Sequence, residues 1–108
     1  MPRQKFIGNW IADKAIGDSS ATIQYPISIL AGYPEYKVLI KNVDNYFSQY
    51  LYANTWGEDS LVIYKQGLQG KVISGACHYV SSSDIEVHYD IIDSATNQVV
   101  SVNTKWHN

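Results

Sequence analysis

One cysteine, three prolines, one methionine and two phenylalanines stand in a chain of 108 residues, and no apolar run approaches the length of a membrane span. A lone Cys77 forms no internal disulfide, so the paired-cysteine framework of many small secreted domains is excluded. With no His and Asp arrangement around it in sequence, Cys77 reads as a buried, structural thiol. Basic clusters are missing as well. The eight Lys and Arg are spread singly from Arg3 to Lys105 and the net charge is -2, which leaves no stripe to neutralise phosphates and argues against nucleic acid as a partner. The amino terminus, MPRQKFIGNW, reaches Asn9 and then Asp13 before a signal-length apolar run forms. The expected location is the cytoplasm, or outside the cell if a leader has been removed. No phosphate loop, nucleophile elbow or Cys-x-x-Cys pair occurs, and no cofactor is expected.

What is present is β chemistry. A hydrophobic share of 45% with 17% charged residues is that of a chain folding as one domain over residues 1–108. Runs rich in Val, Ile, Tyr, Thr and Trp cover residues 4–13, 21–30, 36–43, 46–56, 60–66, 71–80, 84–93 and 98–107. Each is separated from the next by a short stretch holding Gly, Asn, Asp, Ser or Pro. None of those separators has the length or the helical period for a parallel crossover, so the strands are expected to be antiparallel neighbours. Eight hairpin-linked strands predict an all-β, eight-stranded antiparallel up-and-down barrel, with a two-sheet β-sandwich as the alternative.

Alternation assigns the faces. Ile23, Tyr25, Ile27 and Ile29 share one side of the second run, and Tyr36, Val38 and Ile40 oppose Lys37 and Lys41 in the third. Ile85, Val87, Tyr89 and Ile91 oppose Glu86, His88 and Asp90 in the seventh, and Val100, Val102, Thr104 and Trp106 oppose Ser101, Asn103 and Lys105 in the eighth. The fourth run is two-sided. Tyr46, Tyr50, Tyr52 and Trp56 fall on one face and Phe47, Leu51 and Ala53 on the other, which suits an apolar core beneath a wet aromatic surface. Asp44 could also cap a helix there, but the Tyr-rich, Ala-poor composition favours strand.

Gly8-Asn9-Trp10 in the first run, with Trp106 in the last, resembles the calycin superfamily of lipocalins, fatty-acid-binding proteins and avidins. There a Gly-x-Trp lays its indole across the closed end of the barrel. The resemblance implies that Trp10 and Trp106 meet across neighbouring first and last strands, with Lys105 as the late basic residue covering the tryptophan. It implies no biotin, because the polar residues of an avidin site have no counterparts here. Staphostatin-type proteinase inhibitors are similar in length and in an FIGNW-like first strand, and residues 66–70 are the nearest parallel to their Gly-rich loop.

Three functions fit these residues. The first is non-catalytic binding of a small, weakly charged or aromatic ligand in or at the mouth of the barrel, contacted by Tyr25, Tyr36, Tyr50, Tyr52, Trp56, His78 and Tyr89. The second is a protein-binding inhibitor or immunity-type protein using exposed loops at residues 33–35 or 56–59. The third is a small cyclase or isomerase with His78 and Tyr89 as acid and base. His78 turns inward if the 81–84 hairpin holds four loop residues, and outward if that length changes by one. The alternating Glu86, His88 and Asp90 read as a solvated face, so no metal is expected. Apolar residues on both faces of several runs, Ile7 and Ile11 opposite Trp10 among them, would be covered by a homodimer.

Overall fold

The computed structural model describes residues 2–15 and 22–108. Eight strands form a closed antiparallel barrel in sequence order: β1 (Gly8–Ala15), β2 (Thr22–Ala31), β3 (Lys37–Lys41), β4 (Leu51–Trp56), β5 (Ser60–Leu68), β6 (Lys71–Ser81), β7 (Asp84–Asp93) and β8 (Val99–His107). Residues 16–21, most of the first separator and the first residue of the second run, lie outside the described residues. The only helical elements among the described residues are 3-10 turns at Pro2–Lys5 and Val43–Asn45. No helix there is long and apolar enough to cross a membrane.

The inward phase of each strand fills the barrel. Tyr25, Ile27 and Ile29 of β2, Val38 and Ile40 of β3, Leu61 and Ile63 of β5, and Ile85, Val87, Tyr89 and Ile91 of β7 are all buried, and among the described residues the core holds no buried polar or charged residue. An eight-stranded barrel is just wide enough for side chains to occupy its interior, and here they do. One end is closed by Phe6, Trp10 and Trp106. Trp106 stands opposite Ala12, whose small side chain accommodates it. Gly8 has φ 142, a conformation open to glycine, and the Trp10 Nε1–H donates to the Phe6 carbonyl at 2.9 Å.

Several boundaries depart from expectation for local reasons. Strand β1 begins at Gly8 because residues 2–5 coil into a 3-10 turn. Tyr36 precedes β3 and is exposed rather than inward. Residues 46–50 are not strand: left-handed Asn42, Asp44 and Asn45 turn the chain at the end opposite Trp10, where Val43 and Phe47 are buried, and β4 starts only at Leu51. A bulge between Ile63 and Gln66 sets Tyr64 and Lys65 against the single residue Ser74, and a second lies between Tyr79 and Ser81. The second bulge puts His78 opposite Glu86, on the outer face, and Cys77 opposite Val87 inside.

Two seams are thin. Among the described residues β1 pairs with β8 only at Ile11↔His107 and Ala12↔Trp106, and β4 pairs with β5 only at Asn54↔Val62, Thr55↔Leu61 and Trp56↔Ser60. Above that stretch glutamine side chains replace the ladder. Gln66 Oε1 accepts from the Tyr52 N–H at 2.9 Å, and its Nε2 donates to the Tyr52 and Tyr64 carbonyls at 2.8 and 2.9 Å. Gln69 does the same for residues 46–48, accepting from the Ser48 N–H at 2.7 Å and donating to the Tyr46 carbonyl at 3.0 Å.

Candidate functional site

The barrel end opposite Trp10 is organised by the Asn42-Val43-Asp44-Asn45 turn. Asn42, Asp44 and Asn45 have φ of 73, 60 and 52, and Asn and Asp are the side-chain-bearing residues that best tolerate this region. The Asn42 side-chain amide donates to the Pro26 carbonyl at 2.9 Å, tying the turn to β2. Asp44 is thereby held against Tyr89 and Lys14. Its Oδ1 accepts from the Tyr89 hydroxyl at 2.8 Å, while Lys14 Nζ lies 3.3 Å from Oδ2 and donates to the Asp44 carbonyl at 2.9 Å. Lys14 follows Trp10 and Ala12 on the inward phase of β1, at the rim.

Burial dominates the electrostatics of the two phenols. It pushes Tyr25 up to about 12, against a smaller opposing effect of its hydrogen bond with Tyr89. Burial also raises Tyr89, and the neighbouring Tyr25 and Asp44 charges push it further in the same direction. Both hydroxyls therefore keep their protons throughout the physiological range. At Gly75, directly opposite Tyr89 on β6, an added Cβ would lie 2.7 Å from the Tyr89 Cα and Cβ. The bare glycine lets the two strands approach there and sets where the phenol stands.

Beside this cluster the β1–β8 seam opens into a cleft of about 550 Å3, lined by Asp13, Lys14 and Asp44, by Tyr89 and Ile91, and by residues 100–104 of β8, with Tyr46 and Lys71 at the rim. Lys71 lies 3.7 Å from Asp93 and sits over the Tyr46 ring. The lining combines apolar wall with paired charges, and its volume is that of a small-ligand pocket.

The seven contact residues read from the sequence do not converge. Tyr25 and Tyr89 join Asp44 inside, at the mouth. Tyr50 and Tyr52 are on the outer wall, beneath Lys41 and Lys37, and Tyr36 and Trp56 are exposed toward the closed end. His78 lies in a second, outer trough of about 500 Å3 with Ser60, Glu86, His88, Asn103 and Lys105; its Nδ1 is 3.5 Å from Ser60 Oγ. The sheet separates His78 from Tyr89, so one substrate cannot touch both. Lys105 belongs to that trough and does not cover Trp10, because alternation turns it away from inward-facing Trp106. Cys77 is buried, with burial raising its thiol to about 12. Among the described residues no three His, Cys, Asp or Glu side chains form a metal-holding group.

Lys14, Asp44, Val102 and Thr104 were not among the contact residues read from the sequence, although Val102 and Thr104 were placed on the inward face of the eighth run and Asp44 at a turn. One signal for them existed: a lysine on the inward phase of the first strand can be accommodated only at a mouth. Compared with known proteins, the chain matches no family model and no curated protein sequence significantly.

Proposed function

We propose that this barrel is a non-catalytic binding protein that takes a small, weakly charged or aromatic molecule at the mouth of the barrel. The carrying observation is the β1–β8 cleft, where Val100, Val102 and Ile91 supply apolar wall and the Tyr89–Asp44–Lys14 cluster supplies donors and an acceptor. The Gly8-x-Trp10 closed end of an eight-stranded up-and-down barrel supports a calycin-like placement. The filled interior favours the mouth over the barrel axis as the ligand's seat, and the location of His78 weakens the cyclase or isomerase reading. Titrating the labelled protein with phenol, indole and nucleobase fragments tests the reading by chemical-shift mapping. Shifts should centre on Lys14, Asp44, Tyr89 and Val102 and be lost in Asp44→Ala. Shifts spread evenly over the surface, or unaffected by that substitution, overturn it.

A protein-binding role is the second reading, favoured by one observation. Thr55 N–H donates to the Tyr36 carbonyl at 2.8 Å, which brings the 33–35 and 56–59 loops side by side at the closed end, with Tyr33 92% and Trp56 72% exposed. The Lys5–Asp59 ion pair at 2.6 Å and the bond from Tyr79 N–H to the Asp59 carbonyl at 2.7 Å hold the second loop. Rigid exposed aromatics are the residue types of binding hot spots. Capture of a partner that survives Tyr33→Ala with Trp56→Ala would remove this surface from consideration.

A further inference from the structure

Strands β3, β4 and β5 contain no aspartate or glutamate and carry Lys37, Lys41 and Lys65, whereas β7 alone holds four of the ten acidic residues and no lysine or arginine. The basic side of the barrel is also the aromatic one. Tyr50 and Tyr52 are exposed on its outer wall. Lys41 Nζ stands 5.9 Å from the centre of the Tyr50 ring, and Lys37 Nζ stands 5.3 and 5.9 Å from those of Tyr52 and Tyr64. A trough of about 510 Å3 runs between these rings, and the β4–β5 seam explains it. Backbone pairing of β4 with β5 stops at Asn54↔Val62, and the bulge between Ile63 and Gln66 shifts the register of β5 beyond it. From there the Gln66 side chain reaches the Tyr52 main chain, so a side chain, in place of the ~4.8 Å spacing of a ladder, sets the gap. Ser48 is held by Gln69. Among the described residues the hydroxyls of Tyr50, Tyr52 and Tyr64 and the side-chain amide of Gln49 have no hydrogen-bond partner.

We propose that this trough is a second binding site, for an acidic oligosaccharide in which carboxylate-bearing and neutral sugars alternate. It goes beyond the mouth reading, and the two clefts share no lining residue. A sugar ring has an apolar face of C–H groups, which lies on the electron-rich face of an aromatic ring. Its hydroxyls both donate and accept, as do the phenols of the trough and the amide of Gln49. A carboxylate pairs with Lys41 at the edge. Cation–π contacts at exposed sites are weak, so the carboxylate draws that ammonium aside and the Tyr50 face passes to the sugar. Single-stranded nucleic acid also stacks on aromatic rings, but it carries a phosphate on every nucleotide. Singly spread lysines on a chain of net charge -2 suit the sparser charge of the alternating saccharide.

The experiment titrates the isotope-labelled whole chain with three probes: a hyaluronate hexasaccharide, the same hexasaccharide with its carboxyls methyl-esterified, and a thymidylate hexanucleotide. The acidic hexasaccharide should shift the amides of Tyr50, Tyr52, Gln66 and Gly67 and leave those of Lys14, Asp44 and Tyr89 in place. Tyr52→Ala should weaken its binding about tenfold, as expected for a ring half covered by ligand. Lys41→Gln should weaken it about threefold, the size of an exposed ion pair, and the esterified probe should lose at least as much. Both side chains are exposed, and unchanged melting of the variants confirms that the fold is kept. Equal binding of acid and ester, binding indifferent to Tyr52→Ala, or shifts centred on the mouth each overturn the inference. Tighter binding of the hexanucleotide at the same amides overturns it in favour of nucleic acid. No binding of any probe overturns the trough site and leaves the mouth reading to its own fragment titration.

Discussion

Substituting Gly75→Ala tests how tightly the barrel wall is fitted behind Tyr89. The new methyl would stand 2.7 Å from the Tyr89 Cα and Cβ and would also collide with the His88 carbonyl. These are backbone atoms and the first side-chain carbon, not the tip of a flexible side chain, so relief requires β6 and β7 to separate. Overpacking that moves backbone costs about 3 kcal/mol, the upper part of the usual range. At about 2.1 cal/mol/K of unfolding entropy per residue, a chain of this length loses roughly 13 °C in Tm. Gly67→Ala is the internal control. Its Cβ would meet nothing closer than 3.9 Å at a strand position without positive φ, so relief of unfolded-chain entropy should stabilise by about 0.5–1 kcal/mol. Chemical denaturation and thermal melts of both variants are the assay. Tyr89→Ala should not rescue Gly75→Ala, because the colliding atoms remain. A Gly75→Ala protein within about 0.5 kcal/mol of the parent, well below the usual overpacking range, would refute the close approach and with it the fixed seat of Tyr89.

Other outcomes follow from the same geometry. Trp10→Phe forfeits a bond to the Phe6 carbonyl as well as ring area, whereas Trp106 Nε1 is buried without a hydrogen-bond partner among the described residues. Denaturant melts should therefore show Trp106→Phe costing about 1 kcal/mol less than Trp10→Phe, and equal losses would count against it. Alkaline stability should depend on the mouth phenols. Tyr25 stays protonated to about 12 and Tyr89 is also raised, while the unfolded chain releases these protons near pH 10, so stability is full below about pH 10 and falls above it by about 1.4 kcal/mol per pH unit for each phenol. Tyr25→Phe should flatten that fall, and parallel profiles for parent and variant would exclude the coupling. Gln66→Ala removes three hydrogen bonds at the β4–β5 seam and should cost about 2 kcal/mol, with faster exchange at the Tyr52 amide as its local signature; an unchanged Tyr52 amide would mean that the side chain does not substitute for the ladder.

The strand count, order and most faces were legible in the sequence because alternation survives wherever a strand is regular. Ile23 to Ile29, Val38 with Ile40, and Ile85 to Ile91 each display a period of two that only one face can bury. Legibility failed where the period is interrupted. The bulges at Tyr64–Lys65 and near Val80 insert a residue that no composition signal announces, and the second of them put His78 outside. The Asn42–Asn45 turn was visible as a break, but the left-handed conformations of Asn42, Asp44 and Asn45 on either side of Val43 carry no composition signal of their own. The mouth cluster was hidden for a topological reason: Lys14, Asp44, Tyr89 and Val102 are far apart in the chain and meet only when β8 returns to β1.

At the β4–β5 seam the side-chain amides of Gln66 and Gln69 hold main-chain groups of Tyr46, Ser48 and Tyr52 where a backbone ladder would otherwise do so. A bond made by a side chain can lengthen or re-form without breaking a strand, so this seam can breathe while the β6–β7 ladder beside it stays closed. Exchange at the Tyr52 amide reports that breathing; a rate as slow as that of amides inside the β6–β7 ladder would show that the glutamines clamp as firmly as backbone does.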